Sequence, residues 1–218
     1  MLKLSSEASI KIRPTDRVTV AGMTRSGKTT FMREYLAYIP SKLYIIDHLS
    51  QFQQFGEIGD VLSGGTRYDP QAALMSGQMP TEPRLKLEEI CKKLHRLSNV
   101  TLIVEEAELY LPQGKGLLPY TRSLIQSGRN WGIGIYLTTR RIQQLDKSFF
   151  DLSQHVFFFR CGLKSRDYIG DLIGKDYVVK PLRSAYNNLK YGITSLPPFH
   201  AVYFNVETEE NEIVSLEM

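Results

Sequence analysis

Residues Gly22-Met23-Thr24-Arg25-Ser26-Gly27-Lys28-Thr29 follow G-x-x-x-x-G-K-[ST], a spacing whose chemistry is the capture of a polyphosphate. Its glycines let successive backbone N–H groups turn inward and form a nest for an anion. Lys28 would bring a point charge to the β- and γ-phosphates, and the Thr29 hydroxyl would ligate Mg²⁺. The motif has meaning only between a strand and a helix. Both flanks are present. The apolar run 18–21 precedes it, and Thr30-Phe31-Met32-Arg33-Glu34-Tyr35-Leu36 follows with helical spacing. The positive N-terminal end of that helix would lie beneath the phosphates, with Thr30 completing the cradle. ATP with Mg²⁺ is the expected ligand; no base-reading motif separates ATP from GTP.

A second constellation bears on hydrolysis. Val100-Thr101-Leu102-Ile103-Val104 reads as a buried strand and ends in Glu105-Glu106. At the sheet edge that carries the phosphate loop, one acid serves the metal shell and the other polarises the attacking water. By position Glu105 takes the metal and Glu106 the water. Glu108 is a spare acid, expected at the surface or between protomers.

These residues need a scaffold, and the chain alternates short apolar strands with helical stretches. That pattern predicts a three-layer α/β fold with a mostly parallel central sheet. Strands are expected at 18–21, 43–46, 100–104, 133–137 and 156–159, with a short edge strand near 66–68. Helices are expected over 85–97, 117–128 and 165–173. The segment 48–83, rich in Gly, Gln, Ser and Pro, reads as a peripheral excursion. Segments 201–206 and 212–216 predict a C-terminal β-hairpin. With no repeat or linker, residues 1–218 read as one domain.

A hydrophobic content of 42% and a charged content of 23% are ordinary for a globular protein. No apolar run reaches the roughly 20 residues that cross a bilayer, so no membrane insertion is expected. The N-terminus has no apolar core of a secretory signal. Cys91 and Cys161 lie far apart and make no metal-ligand spacing. The net charge of +4 permits contact with nucleic acid without requiring it.

Gly22–Thr29 together with Val104-Glu105-Glu106-Ala107-Glu108 resembles the paired motifs of the FtsK–HerA superfamily of P-loop motors. The stretch Ser127-Gly128-Arg129-Asn130-Trp131-Gly132-Ile133-Gly134-Ile135-Tyr136-Leu137-Thr138-Thr139-Arg140-Arg141 is the more specific part of the likeness. There, "G-R-x-x-G-I-G" leads into a strand that ends in a polar sensor followed by Arg. The resemblance implies a RecA/FtsK-like fold over residues 17–159. It also implies that Arg129 is an arginine finger reaching a neighbouring protomer's nucleotide, with Arg122 as the competing finger. Two positions depart from the pattern. Glu105 stands where the metal-shell acid is usually Asp, and Arg140 stands where the sensor is usually Gln. Arg cannot accept a hydrogen bond from water, so Arg140 would contact the γ-phosphate instead.

HerA-like translocases add a barrel before the motor, and FtsK-like and conjugative motors add membrane segments. A bare motor of this length resembles the genome-packaging ATPases of tailless, internal-membrane-containing double-stranded DNA viruses. That resemblance implies a homo-oligomeric ring of five or six protomers driving double-stranded DNA. It also implies a capsid-vertex or membrane-associated viral partner and a place in the host-cell cytoplasm or on the virion. Sequence-blind grip on DNA needs basic groups that face the backbone. Lys115, at the tip of Gln113-Gly114-Lys115-Gly116, is the candidate, the tip being read as flexible. The basic helix face Lys86, Lys92, Lys93 and Arg96 either lines DNA or is solvated. Three other readings stay open: a cellular HerA-like remnant, a small P-loop kinase, and a nucleotide-switch assembly protein.

Overall fold

The strands that read as continuous apolar runs become the middle of a sheet. In the computed structural model, residues 10–55, 65–174, 182–183, 190–191 and 193–215 are described. The strands are β1 (Arg17–Ala21), β2 (Lys42–Ile46), β3 (Arg67–Tyr68), β4 (Val100–Val104), β5 (Ile133–Thr139) and β6 (His155–Phe159). A small pair, β7 (Leu182–Arg183) and β8 (Lys190–Tyr191), stands apart from β9 (His200–Asn205) and β10 (Asn211–Ser215). The eight-stranded sheet has the order β10-β9-β6-β1-β5-β4-β2-β3. From β6 to β3 every pairing is parallel, and β9 and β10 add an antiparallel hairpin. β1, β4, β5 and β6 are buried along their whole length, as expected of strands covered on both faces.

The helices are α1 (Lys28–Leu36), α2 (Pro70–Met75), α3 (Pro83–Leu94), α4 (Ala107–Tyr110), α5 (Pro119–Ser127), α6 (Lys147–Asp151) and α7 (Leu163–Ile173). Side chains alternate across the sheet with a period of two. Leu102 and Val104 pack with Leu87, Ile90 and Leu94 of α3 and Leu124 of α5. Ile103 and Tyr136 face the other way, toward Phe31, Met32 and Leu36 of α1. Phe157-Phe158-Phe159 is core strand, as its composition implied.

Local chemistry sets the helix starts. Pro70, Pro83 and Pro119 open α2, α3 and α5, positions where proline loses no helical hydrogen bond. Asp69 caps α2 by accepting from the N–H groups of Gln71 and Ala72. That helix, inside the 48–83 excursion, was not expected, because six residues are too few to establish a helical period. Glu88 of α3 accepts from Tyr120 N, Thr121 N and Thr121 Oγ1, so it caps α5 from a neighbouring helix. β5 runs two residues beyond its expected end. A β-carbon at Gly134 would collide with the Pro14 carbonyl, so only glycine lets the segment before β1 cross this strand.

One reading is corrected. Lys86 does not sit in solvent: it is 5% exposed, with its ammonium 4.9 Å from the centre of the Tyr68 ring. Its aliphatic stem lets a residue on a nominally basic face join the core edge.

Candidate active site

The phosphate loop joins β1 to α1 at the C-terminal edge of the parallel sheet, where open α/β folds place their ligands. Two backbone bonds pin its start: Gly22 N donates to Thr139 O (3.1 Å) and Met23 N to Arg160 O (2.8 Å). Gly27 sits at the N-cap of α1 with φ 107°, and a β-carbon there would press on Phe199 at 2.9 Å. α1 has no side-chain cap and no acid in its first turn. Its leading N–H groups are therefore left to an anion.

A cavity of about 340 Å³ opens over this loop. It is lined by residues 24–30, Leu49, Gln51, Glu105, Glu106, Thr138 and Arg140. The loop residues Thr24, Arg25, Ser26, Gly27, Lys28, Thr29 and Thr30 thus share one space with both acids and Arg140. Gly22 and Met23 form its foot; the Met23 carbonyl accepts from Lys28 Nζ at 3.0 Å. Burial pushes the Lys28 ammonium down to about 8, although Glu106 acts in the opposite sense. A polyphosphate beside it would favour the charged form and raise that value again.

The two acids occupy different surroundings. Glu105 is 2% exposed and accepts from Leu49 N at 2.8 Å. Burial pushes its carboxyl up to about 8, with the Asp47 and Glu106 charges adding to the shift and the Leu49 bond opposing it. Glu106 has left-handed backbone (φ 52°, ψ 49°) at the N-cap of α4 and an ion pair with Arg140, Nε to Oε1 at 2.7 Å. Burial and then Glu108 raise its carboxyl, and Arg140 counters them. Glu108, expected at the surface or between protomers, is half-buried beside Arg140. Its Oε1 accepts from Arg140 N (3.2 Å), and its Oε2 is buried without a partner.

Thr29 and Glu105 fit the Mg²⁺ expected of such a loop. Both line the cavity, and a buried carboxylate whose ionisation is opposed by burial suits a cation arriving with phosphate. Among the described residues no group of three or more His, Cys, Asp or Glu forms a metal cage. Mg²⁺ at phosphate sites instead takes one or two carboxylates together with substrate oxygens and water.

The raised Glu105 carboxyl has a stability consequence. Its folded-state value lies above the ordinary 4.5, so its contribution is full below that range and lost as pH rises through about 8. Glu105→Gln keeps an oxygen for Leu49 N and carries no charge. In EDTA without nucleotide it is expected to melt above the wild-type protein at about pH 9 and close to it at about pH 5. Thermal melts across pH check this, and parallel curves for the two proteins would contradict it.

Three lining residues escaped the sequence reading. Leu49 and Gln51 sit on the loop after β2, folded by the fully buried Asp47, which accepts from Gln51 N (2.6 Å), Phe52 N (3.0 Å) and Arg67 Nη1 (2.7 Å). The available signal was Asp47 itself, an acid ending a strand parallel to the acid strand. Thr138 enters because β5 lies between β1 and β4, placing its C-terminal end between the phosphate loop and the acids.

Two predicted residues lie elsewhere. Arg129 is in the 3₁₀ turn Gly128–Trp131, before β5 begins, at the opposite edge of the sheet. The seven residues of β5 separate it from the cavity by roughly 23 Å at about 3.3 Å per residue. Arg129 pairs with Glu207 (3.2 Å) and Asp16 (3.7 Å) and is out of reach of its own site. Burial opposes ionisation of Asp16, yet the His155 and Arg13 hydrogen bonds and the Arg129 charge hold its carboxyl below the ordinary value. Lys115 is exposed, as expected, but its tip is tethered rather than loose. Arg84 Nη2 donates to the carbonyls of Lys115 (3.1 Å) and Gly116 (2.9 Å).

No protein-family model matches the chain, and no curated protein matches it by sequence. Among solved structures it is similar to the genome packaging NTPase B204 from Sulfolobus turreted icosahedral virus 2 in complex with AMPPCP. The two are 18% identical with a TM-score of 0.71, covering 94% of this chain and 100% of that one. B204, the DNA-packaging ATPase from Sulfolobus turreted icosahedral virus, is 16% identical with a TM-score of 0.69, covering 95% and 100%. VirB4 of Thermoanaerobacter pseudethanolicus is 10% identical with a TM-score of 0.59, covering 93% and 89%. The chain shares its fold with these solved proteins.

Proposed function

We propose that this chain is an ATP-hydrolysing motor for double-stranded DNA, acting in a homo-oligomeric ring that packages a viral genome. The observation that carries the reading is a single cavity uniting the phosphate loop, Lys28 and two carboxylates in unlike environments. Likeness of fold to a genome packaging NTPase and a DNA-packaging ATPase supports packaging as the task. A capsid-vertex or membrane-associated protein would anchor the ring, in the host cytoplasm or on the virion.

The residues divide the chemistry. The loop N–H groups and Lys28 hold the phosphates in line. Thr29 and Glu105 would hold Mg²⁺, whose charge would offset that of the phosphates. Glu106 takes a proton from the attacking water. Arg140 pairs with Glu106 at 2.7 Å. An arriving γ-phosphate competes for that guanidinium, which releases Glu106 as base and leaves Arg140 on the phosphate. Arg129, too far from its own site, reaches the neighbouring protomer's γ-phosphate and offsets charge in the transition state.

Mixing Arg129→Ala and Glu106→Gln protomers is expected to restore part of the activity that each lacks alone. Mixed interfaces then pair an intact Glu106 with an intact neighbouring Arg129. An absence of rescue at every mixing ratio would assign Arg129 to the Asp16 and Glu207 ion pairs only. The function itself is tested by steady-state hydrolysis with and without long double-stranded DNA. Stimulation that fades with salt is expected of a backbone-gripping motor. An unchanged rate at low salt would turn the reading toward a kinase or switch.

A further inference from the structure

We infer that Phe199 is the platform on which the base of the bound nucleotide stacks, an assignment that rests on the nucleotide-binding reading above. Phe199 ends the loop that enters β9 and has left-handed backbone, φ 64°. That conformation is strained for an aromatic residue, and such outliers gather at ligand sites. Two contacts with the phosphate loop hold the strained residue in place. Phe199 N donates to Ser26 O at 3.1 Å, and the ring lies against Gly27, where a β-carbon would meet its Cδ1 at 2.9 Å. Earlier in the same segment, Ile193 and Leu196 are buried in the core, and Ile193 O accepts from Cys161 N (3.3 Å). The result is a half-buried aromatic ring beside the phosphate loop.

Sheet order gives the ring its place along the nucleotide. β4, which carries the acids, lies on one side of β1, beyond β5; β9 lies on the other side, beyond β6. β9 runs antiparallel to β6, with Ala201 opposite Phe159, so its start is at the same sheet edge as the phosphate loop. A triphosphate with its γ-phosphate toward Glu106 and Arg140 therefore directs its sugar and base away from the acids, toward Phe199. The turn that leads into β9 supplies what the phosphate motif lacks, a surface for a flat heterocycle. Stacking reads no base edge, since every base presents a π-face. The platform therefore serves ATP and GTP alike.

Calorimetric titration of the Mg²⁺ complexes of ATP, GTP and inorganic tripolyphosphate separates this role from a structural one. Phe199→Ala is expected to weaken ATP and GTP about tenfold while leaving tripolyphosphate affinity unchanged, and Phe199→Trp to bind ATP as well as wild type does. Unchanged ATP affinity in Phe199→Ala would overturn the assignment. So would an equal loss for ATP and tripolyphosphate, which would make the ring a wedge that shapes the phosphate loop. A wild-type protein that binds neither ligand would remove the nucleotide reading itself, a separate outcome from failure of the platform.

Discussion

Glu106→Gln is expected to leave ATP bound and to slow hydrolysis by about 10²–10⁴-fold, the usual contribution of a positioned general base. Glutamine keeps the shape and an oxygen that can still accept from Arg140 Nε, now 2.7 Å from Glu106 Oε1. What it loses is the capacity to take a proton. Burial and Glu108 both raise the Glu106 carboxyl, which moves a weak base toward the working pH. Removing its charge also relieves Arg140 of an ion pair, so nucleotide affinity is expected to hold or rise. Single-turnover hydrolysis and equilibrium ATP binding, measured on one preparation, check both halves. Retained turnover would transfer the role to Glu108, whose buried Oε2 has no partner.

Lys28→Ala has the largest expected effect on binding. Lys28 is only 8% exposed and faces the cavity, so the phosphates meet its charge with little water between them. Losing one partner of such a desolvated charge pair costs on the order of 2–5 kcal/mol, roughly 30-fold or more in Kd. Turnover should fall with it. Without nucleotide the variant should melt no lower than wild type, because burial already disfavours the ammonium and pushes it down to about 8. Unchanged ATP affinity in a folded variant would mean that the nucleotide binds elsewhere.

Much of this site was legible because its parts are contiguous in sequence. The phosphate loop is one octapeptide between a strand and a helix, and Glu105 and Glu106 follow an unbroken apolar run. Buried parallel strands announce themselves by composition, so the sheet and its C-terminal hairpin could be drawn in advance. The remaining site residues come from chain reversals that leave no local trace. Thr138 depends on β5 inserting between β1 and β4, Gln51 on β2 lying beside β4, and Phe199 on β9 returning antiparallel beside β6. Solvation was also illegible. Nothing local separated Lys86, folded over Tyr68, from lysines left in water, and the tether from Arg84 to the Lys115 tip joins segments distant in sequence. The G-I-G stretch owes part of its form to packing, because Gly134 makes room for the Pro14 carbonyl.

Movement along a duplex tests the central claim most directly. With a third strand bound to long double-stranded DNA, a translocating ring is expected to displace it in the presence of ATP. It should fail to do so with a non-hydrolysable analogue or as Glu106→Gln. Hydrolysis that DNA stimulates while the third strand stays bound, at every protein concentration, would contradict a translocating motor.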